Sequence, residues 1–227
     1  MGTRQDSRER IEARIIELGR AQLVTEGAAA LSLRAIAREM GMVSSAVYRY
    51  VASRDELLTL LLVDAYTDLA DTVDSARAGA AGRWRREIVE MACAARQWAL
   101  EKPASWALLY GSPVPGYQAP AEKTVGPGTR VVGALFGAVA AGIAAGDIAD
   151  DTTPVATELS RDFERLREEF GFAGGDRAVA HCFTLWAGLV GAISLEVFGQ
   201  YGADTLTAPA AVFDLQIELL LDLMTRK

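Results

Sequence analysis

Apolar residues along this chain recur every three or four positions, in stretches punctuated by glycine and proline. Between Arg8 and Glu26, Ile11, Ile15, Leu18, Ala21 (with Gln22) and Val24 draw a stripe with arginines opposite, which predicts an amphipathic helix closed by Gly27. The polar residues 1–7 predict a disordered lead-in. Leu33, Ile36, Ala37 and Met40 keep the helical spacing, with Ser32 placed to cap the first turn and Gly41 to stop the last. Two residues later Ser44 or Ser45 offers a second cap, and Ala46, Val47 and Tyr48 carry a second short helix ending near Val51. A longer helix follows from Arg54 to about Ser75. Ser53 caps it, Asp55 and Glu56 suit the dipole of its first turn, and Leu57, Leu60, Leu61 and Ala65 make it apolar on several sides.

Gly79 and Gly82 mark a boundary. Beyond it, Ile88, Met91, Ala95, Trp98 and Ala99 define the inner face of a helix over 84–101, stopped by Pro103, and a short helix over 104–110 carries Trp106, Leu108, Leu109 and Tyr110. Four of the seven prolines fall between Gly111 and Gly128, which predicts a loop or a broken helix. The apolar run 131–146, VVGALFGAVAAGIAAG, is shorter than the roughly 20 residues of a membrane span. Four glycines interrupt it and acids follow it, so it predicts a buried core helix and no membrane partner. Pro154 opens a helix with Val155, Leu159, Phe163, Leu166 and Phe170 on one face, and Gly171–Gly175 breaks it. Two long helices, about 176–200 and 208–225, close the chain. The first carries Val179, Phe183, Trp186, Val190, Ile193 and Val197 on one stripe and Cys182, Leu185, Leu189 and Ala192 on another. Val212, Leu215, Leu219 and the 220–224 run make the second apolar on more than one face. That is more apolar surface than one interior uses. With the small residues Ala187, Gly188, Gly191 and Ser194, it predicts a homodimer through these two helices.

Nowhere do β-branched residues alternate convincingly with polar ones, so the fold class is all-α. The net charge of −7 argues against a nucleic-acid partner only if it is read globally. Residues 1–54 hold nine arginines and six acids, a net of +3, and the remainder carries −10. A modestly basic head on an acidic body suits a reader of double-stranded DNA with a separate second domain. Two short helices joined by a glycine turn, over 32–51, are the helix-turn-helix arrangement, whose second helix can lie in the major groove.

The order and spacing of Leu31, Ala35-Ile36-Ala37, Gly41, Val47-Tyr48-Arg49-Tyr50 and Ser53-Arg54-Asp55-Glu56-Leu57 resemble the N-terminal domain of the tetracycline-repressor (TetR) family over roughly residues 8–60. The family usually has a small capping residue where Val43 stands, His or similar at Tyr50, Phe at Val51 and Lys at Arg54. The first departure moves the expected cap to Ser44. The segment WALLYGSPVPGY, residues 106–117, is similar to one subset of TetR-like C-terminal domains. The resemblance implies a three-helix DNA-binding domain, residues 1–53, joined to a helical-bundle domain, residues 54–227, that binds ligand and dimerises through its last two helices. It also implies that the helix from Arg54 links DNA reading to ligand sensing.

Ser44, Ser45, Tyr48, Arg49 and Tyr50 are the candidate DNA contacts, with Ser32 and Arg54 on flanking phosphates and Arg34 and Arg38 near the backbone. Tyr48 has two readings: a filler of the small domain's core, or the phosphate contact that the family's tyrosine makes there. Arg49 can read a guanine through its fork. In the second domain Trp98, Trp106, Tyr110, Phe136, Phe183 and Trp186 are candidates for an effector pocket, each also explicable as plain core. Few charges fall on inward faces, which favours an apolar or neutral effector.

An enzyme is not expected. His181 and Cys182 are neighbours on a helix and point about 100° apart, so they do not form a nucleophile–base pair. No metal-ligand cluster, phosphate loop or nucleophile elbow is present in the sequence, and no cofactor is implied. Cys93 and Cys182 lie in apolar helical patterns and predict buried thiols in a reducing cytoplasm. No charged, apolar, small-residue leader opens the chain, so no signal peptide is expected. The expected function is a ligand-responsive transcriptional regulator, most simply a repressor. The alternatives are a DNA-binding regulator without a small effector, and a helical binding module or enzyme without a DNA role.

Overall fold

A computed structural model of the chain describes residues 2–151, 153–202 and 204–225, with side chains from Gln5 onward. Ten α-helices occupy these residues and no strand does: α1 (Gly2–Glu26), α2 (Leu33–Glu39), α3 (Ser44–Val47), α4 (Arg54–Ala78), α5 (Trp84–Glu101), α6 (Pro103–Tyr110), α7 (Ala121–Ala144), α8 (Thr157–Phe170), α9 (Asp176–Val197) and α10 (Pro209–Thr225). The all-α expectation holds. Two compact units form, one from 1–68 and 102–128, the other from 69–101 and 129–227. The first therefore takes in more than the 1–53 segment, adding the start of α4, all of α6 and the loop after it.

The first unit is built on Ile15, Leu18, Leu33, Ile36, Val47, Val51, Leu57 and Leu61, all buried. Gly19 lets α1 approach α4, because a methyl group there would stand 3.2 Å from both δ-carbons of Leu61. Arg20 on α1 grips Asp64 on α4, with Nε 2.6 Å from Oδ2. Leu108 of α6 and Val114 and Tyr117 of the following loop pack against the same core, and the Tyr117 hydroxyl lies 2.9 Å from Oγ1 of the buried Thr59.

In the second unit α5 is buried along Ile88, Met91, Ala95, Trp98 and Ala99, as its spacing predicted. Arg96 on α5 forms a forked ion pair with Glu196 on α9, at 2.5 and 2.7 Å. Trp84 donates its indole N–H to Asp147 at 2.8 Å. Arg130 on α7 reaches both Asp71 and Asp74, and Arg77 joins Asp74 to the buried Glu87. Burial pushes the Asp74 carboxyl upward, but the bonds from Arg130 and Arg77 outweigh it and hold the group below its ordinary range. α9 and α10 run close enough that a methyl group on Gly188 would stand 2.5 Å from a Leu220 methyl carbon.

Several sequence expectations are corrected. Residues 2–7 are helical rather than disordered, supported by the i,i+4 pairs Gln5–Glu9 and Arg8–Glu12; Met1 lies outside the described residues. The α1 stripe turns after Leu18: Gln22 and Leu23 are buried while Ala21 and Val24 are exposed. The irregular stretch ends at Pro120, whose carbonyl accepts the backbone N–H groups of Lys123 and Thr124 at 3.1 and 3.2 Å. Helix α7 thus begins at Ala121 and absorbs Pro127 in its second turn, where only one backbone bond is lost. α8 starts at Thr157, not at Pro154. The 131–146 run is buried along Val131, Leu135, Phe136, Ala138 and Val139, and its small residues on the other faces reach the surface. α7 and α9 are long and apolar enough to cross a membrane by length and composition alone, which core helices of soluble proteins also satisfy. Cys93 is exposed and only Cys182 is buried, where loss of solvent pushes its thiol up to about 12.

Candidate nucleic-acid interface

The glycine turn organises the interface. Gly41 has φ +64°, and the backbone N–H groups of Gly41 and Met42 donate to Arg38 and Ala37 at 3.1 and 2.9 Å. That is the double closure of a Schellman motif, which ends α2 sharply and redirects the chain into α3. Only glycine takes this backbone conformation without strain.

At the other end of α2, Ser32 caps as expected, its Oγ accepting Ala35 N–H at 3.3 Å. The buried amide of Gln22 clasps Ser32 from α1: Ser32 N–H donates to Gln22 Oε1 at 2.9 Å, and Gln22 Nε2 donates to the Ser32 carbonyl at 3.4 Å. Sequence reasoning missed this role. The available signal was a lone amide on an otherwise apolar stripe.

The second short helix departs from expectation. Val43 occupies the N-cap position and its side chain makes no capping bond, so Ser44 is the first helical residue and not the cap. Regular helix ends at Val47, and the turn continues to Val51 through bonds from Arg49, Tyr50 and Val51 N–H to Ala46 and Val47 carbonyls. Val47 and Val51 are fully buried and root this segment in the core. Tyr48 is 42% exposed, so it does not fill the core. Ser45 and Arg49 are exposed and Ser44 is half-buried. Tyr50 packs partly against the core, with the Arg8 guanidinium 5.8 Å from its ring centroid.

The candidate cations divide into two kinds. Arg34, Arg38 and Arg49 are exposed and form no ion pair among the described residues. Arg54 is held inside the unit: its Nη2 donates to the carbonyls of Ala28 and Ala29 at 3.0 and 2.9 Å. Ser53 caps α4 as expected, accepting Glu56 N–H at 3.1 Å, while the Glu56 carboxylate returns to Ala52 N–H at 2.6 Å.

The six aromatic candidates fall into separate clusters. In the first unit Trp106 and Tyr110 lie 4.4 Å apart between ring centroids, and Tyr66 meets Tyr110 edge-on; burial pushes the Tyr110 phenol well above its ordinary value. In the second unit Trp98 is buried in α5, Phe136 packs with Phe170 and Phe172, and Trp186 is half-buried. Phe183 is 47% exposed and stacks on Phe163, against its expected inward place. Open cavities occur among the described residues of the second unit. One, of about 560 Å³, lies among Trp84, Arg85, Val89, Ala141, Asp147 and Glu218. Another, of about 400 Å³, is an apolar trough on α9 and α10 lined by Gly188, Gly191, Leu195, Leu219, Leu220 and Leu223. None of the six aromatic candidates lines either.

Comparison with known proteins agrees with this layout. Residues 15–61 match the sequence family described as bacterial regulatory proteins, tetR family, and residues 88–220 match the tetracyclin repressor-like C-terminal domain. The HTH-type transcriptional regulator Rv1816 of Mycobacterium tuberculosis is 65% identical over 221 residues, covering 97% of this chain and 94% of the relative. The regulator Mb1846 of Mycobacterium bovis matches to the same extent. Among solved structures, the regulatory protein SCO4313 superposes with a TM-score of 0.78 at 32% identity, over 96% of this chain and 98% of that one.

Proposed function

This chain belongs to the TetR family of DNA-binding transcriptional regulators, and from that premise we propose that it is a cytoplasmic, homodimeric repressor released from its operator by a small apolar or neutral effector. The observation that carries the reading is the exposed surface of the helix-turn-helix. Ser45, Tyr48 and Arg49 stand outward on a segment rooted by the buried Val47 and Val51. Ser44, Ser45, Tyr48 and Arg49 contact bases and adjoining phosphates, and Ser32, Arg34 and Arg38 the flanking backbone. From its half-buried position Tyr50 offers its hydroxyl.

Dimerisation uses α9 and α10. Leu215, Leu219 and Leu223, four residues apart on α10, are 50–60% exposed, and Leu195 of α9 joins them beside the trough. Gly191, beside which nothing stands within 4 Å of an added methyl group, leaves room there for a second copy. Paired reading heads fit half-sites about one helical turn, roughly 34 Å, apart.

The effector enters the second unit, where Trp98, Phe136 and Trp186 remain the wall candidates; Phe183 is half-exposed, and Trp106 and Tyr110 belong to the first unit, so these three are not part of that wall. Glu87 is that unit's buried charge among the described residues and is paired with Arg77, so the interior suits an uncharged molecule. An effector releases DNA only by preferring the state that does not bind it. Residues of this kind read and sense; no chemical step is assigned to them.

The test is fluorescence anisotropy with the duplex that the protein enriches from a random-sequence pool, against a scrambled duplex of equal composition. Selective binding and a two-half-site footprint are expected. Equal, steeply salt-dependent binding to both duplexes contradicts the reading.

A further inference from the structure

The link between Gly27 and Ser32 is anchored in the core by Leu31 but has little backbone bonding of its own. It is a three-residue 3-10 turn, Ala28–Ala30, closed by one backbone bond from Ala30 N–H to the Gly27 carbonyl at 3.2 Å, and none of its three residues is buried. Yet this link aims α2, and α2 presents Ser32, Arg34 and Arg38. Two side chains supply what the turn lacks. From α1, the Gln22 amide holds both backbone groups of Ser32. From the first residue of α4, the Arg54 Nη2 bridges the carbonyls of Ala28 and Ala29.

We infer that Arg54 is a positioning residue: its guanidinium ties the first turn of α4 to the turn that launches α2, so that α4 sets the angle at which α2 and the following reading segment meet DNA. This rests on the DNA-reading function argued above and gives that function a specific mechanical joint. The contrast with Arg34, Arg38 and Arg49 supports the assignment. Those three are exposed and form no ion pair among the described residues, so their donors are open to phosphates or bases. Arg54 has its Nη2 donors on two carbonyls, and its Nη1 stands 3.8 Å from the Asp55 carboxylate. A planar guanidinium suits this bridge because its donors are fixed in one fork. A displacement of α4 therefore reaches α2 through two hydrogen bonds, without passing through the glycine turn.

A phosphate contact and a positioning strut differ in their salt dependence. Each neutralised phosphate contributes about 0.9 to the slope of log affinity against log salt. The experiment measures full-length wild type, Arg54→Met and Arg54→Gln by anisotropy across a salt series, with the duplex enriched by wild type and a scrambled duplex. For Arg54→Met the strut predicts that affinity for the enriched duplex falls about tenfold or more, affinity for the scrambled duplex changes less than about twofold, and the salt slope stays at the wild-type value. A slope smaller by about 0.9, with both duplexes weakened in step, makes Arg54 a phosphate contact and overturns the inference. Wild-type binding by Arg54→Met also overturns it. If Arg54→Met does not fold, Arg54→Gln decides, because its shorter amide arm stays polar but loses the reach to the two carbonyls. Selective weakening on the enriched duplex at an unchanged slope supports the strut, and wild-type affinity for both duplexes overturns it. Failure of wild type to enrich any sequence overturns DNA reading itself, and this role with it.

Discussion

The helix-turn-helix and the α9–α10 pair use apolar residues in opposite ways. Between Leu31 and Leu58 most large aliphatic residues are buried, and apart from the exposed Val43 the outward positions are mainly serine, arginine, tyrosine and acidic residues. This region is complete as a packed object, and Ser45, Arg49 and Tyr48 give it a polar surface suited to the proposed polyanion. On α10 the inner residues Phe213, Ile217, Leu221 and Met224 are buried as well, yet Leu215, Leu219 and Leu223 leave half or more of their surface in water. A contiguous exposed patch of this kind marks a surface that takes a partner. One region is thus finished by its own chain and is the proposed DNA-facing surface, whereas the other is unfinished and is the proposed seat of a second copy. Specific binding needs both, because two heads reading two half-sites gain the avidity of linkage.

The largest expected effect comes from breaking the unfinished side. Leu219→Glu with Leu223→Glu places carboxylates in the proposed interface, and sedimentation should show monomers at concentrations where wild type is dimeric. Operator affinity should fall about 10²–10⁴-fold, the gain that linkage provides, while the melting of the first unit is unchanged. Arg49→Ala strikes the finished side at its surface. We expect a loss of about 1–3 kcal/mol in operator binding, relaxed preference at one base pair and an unchanged dimer, read by anisotropy on single-base variants of the operator.

Beneath that surface, Gln22→Ala removes both bonds to the Ser32 backbone. It should destabilise the first unit by about 1–3 kcal/mol in denaturant melts followed by circular dichroism. Gly41→Ala should cost about 1–2 kcal/mol, through the left-handed backbone alone, since nothing crowds the added methyl group. The smallest effect concerns α9. Burial first, and then Arg177, hold the His181 imidazole below its ordinary value, partly offset by Asp151. Its neutral form is therefore favoured on folding, so its contribution is intact above about pH 6.5 and lost as pH falls through the lower folded value. Melting temperature should decline over that range, and His181→Gln should flatten the decline.

Local grammar made the reading head legible. Ser32, Gly41 and Ser53 perform the capping and turning roles that their chemistry dictates, because each depends on backbone within a few residues. Long-range partners were not legible. The spacing of α1 put Gln22 on the stripe beside Ala21, but nothing in it showed that Gln22 would clasp the Ser32 backbone, or that Arg54 would find carbonyls 25 and 26 residues away. The uncapped start of α3 at Val43 shows tertiary packing overriding local preference: the buried Val47 anchors the turn that a side-chain cap would otherwise stabilise. In the second unit periodicity located the helices but not which of two apolar stripes faces the core. On α9 the stripe through Cys182, Leu185, Leu189 and Ala192 took the interior and left Phe183 half-exposed. The aromatic candidates scattered for the same reason, since sequence spacing fixes a helix face and not its neighbour.

The most direct test of the account is the stoichiometry of the protein on its enriched operator, measured by sedimentation velocity with labelled duplex at saturation. The account predicts two protomers per duplex for wild type, and weak single occupancy for the Leu219→Glu, Leu223→Glu protein. Tight binding of one wild-type protomer per duplex, unaffected by those substitutions, would contradict it.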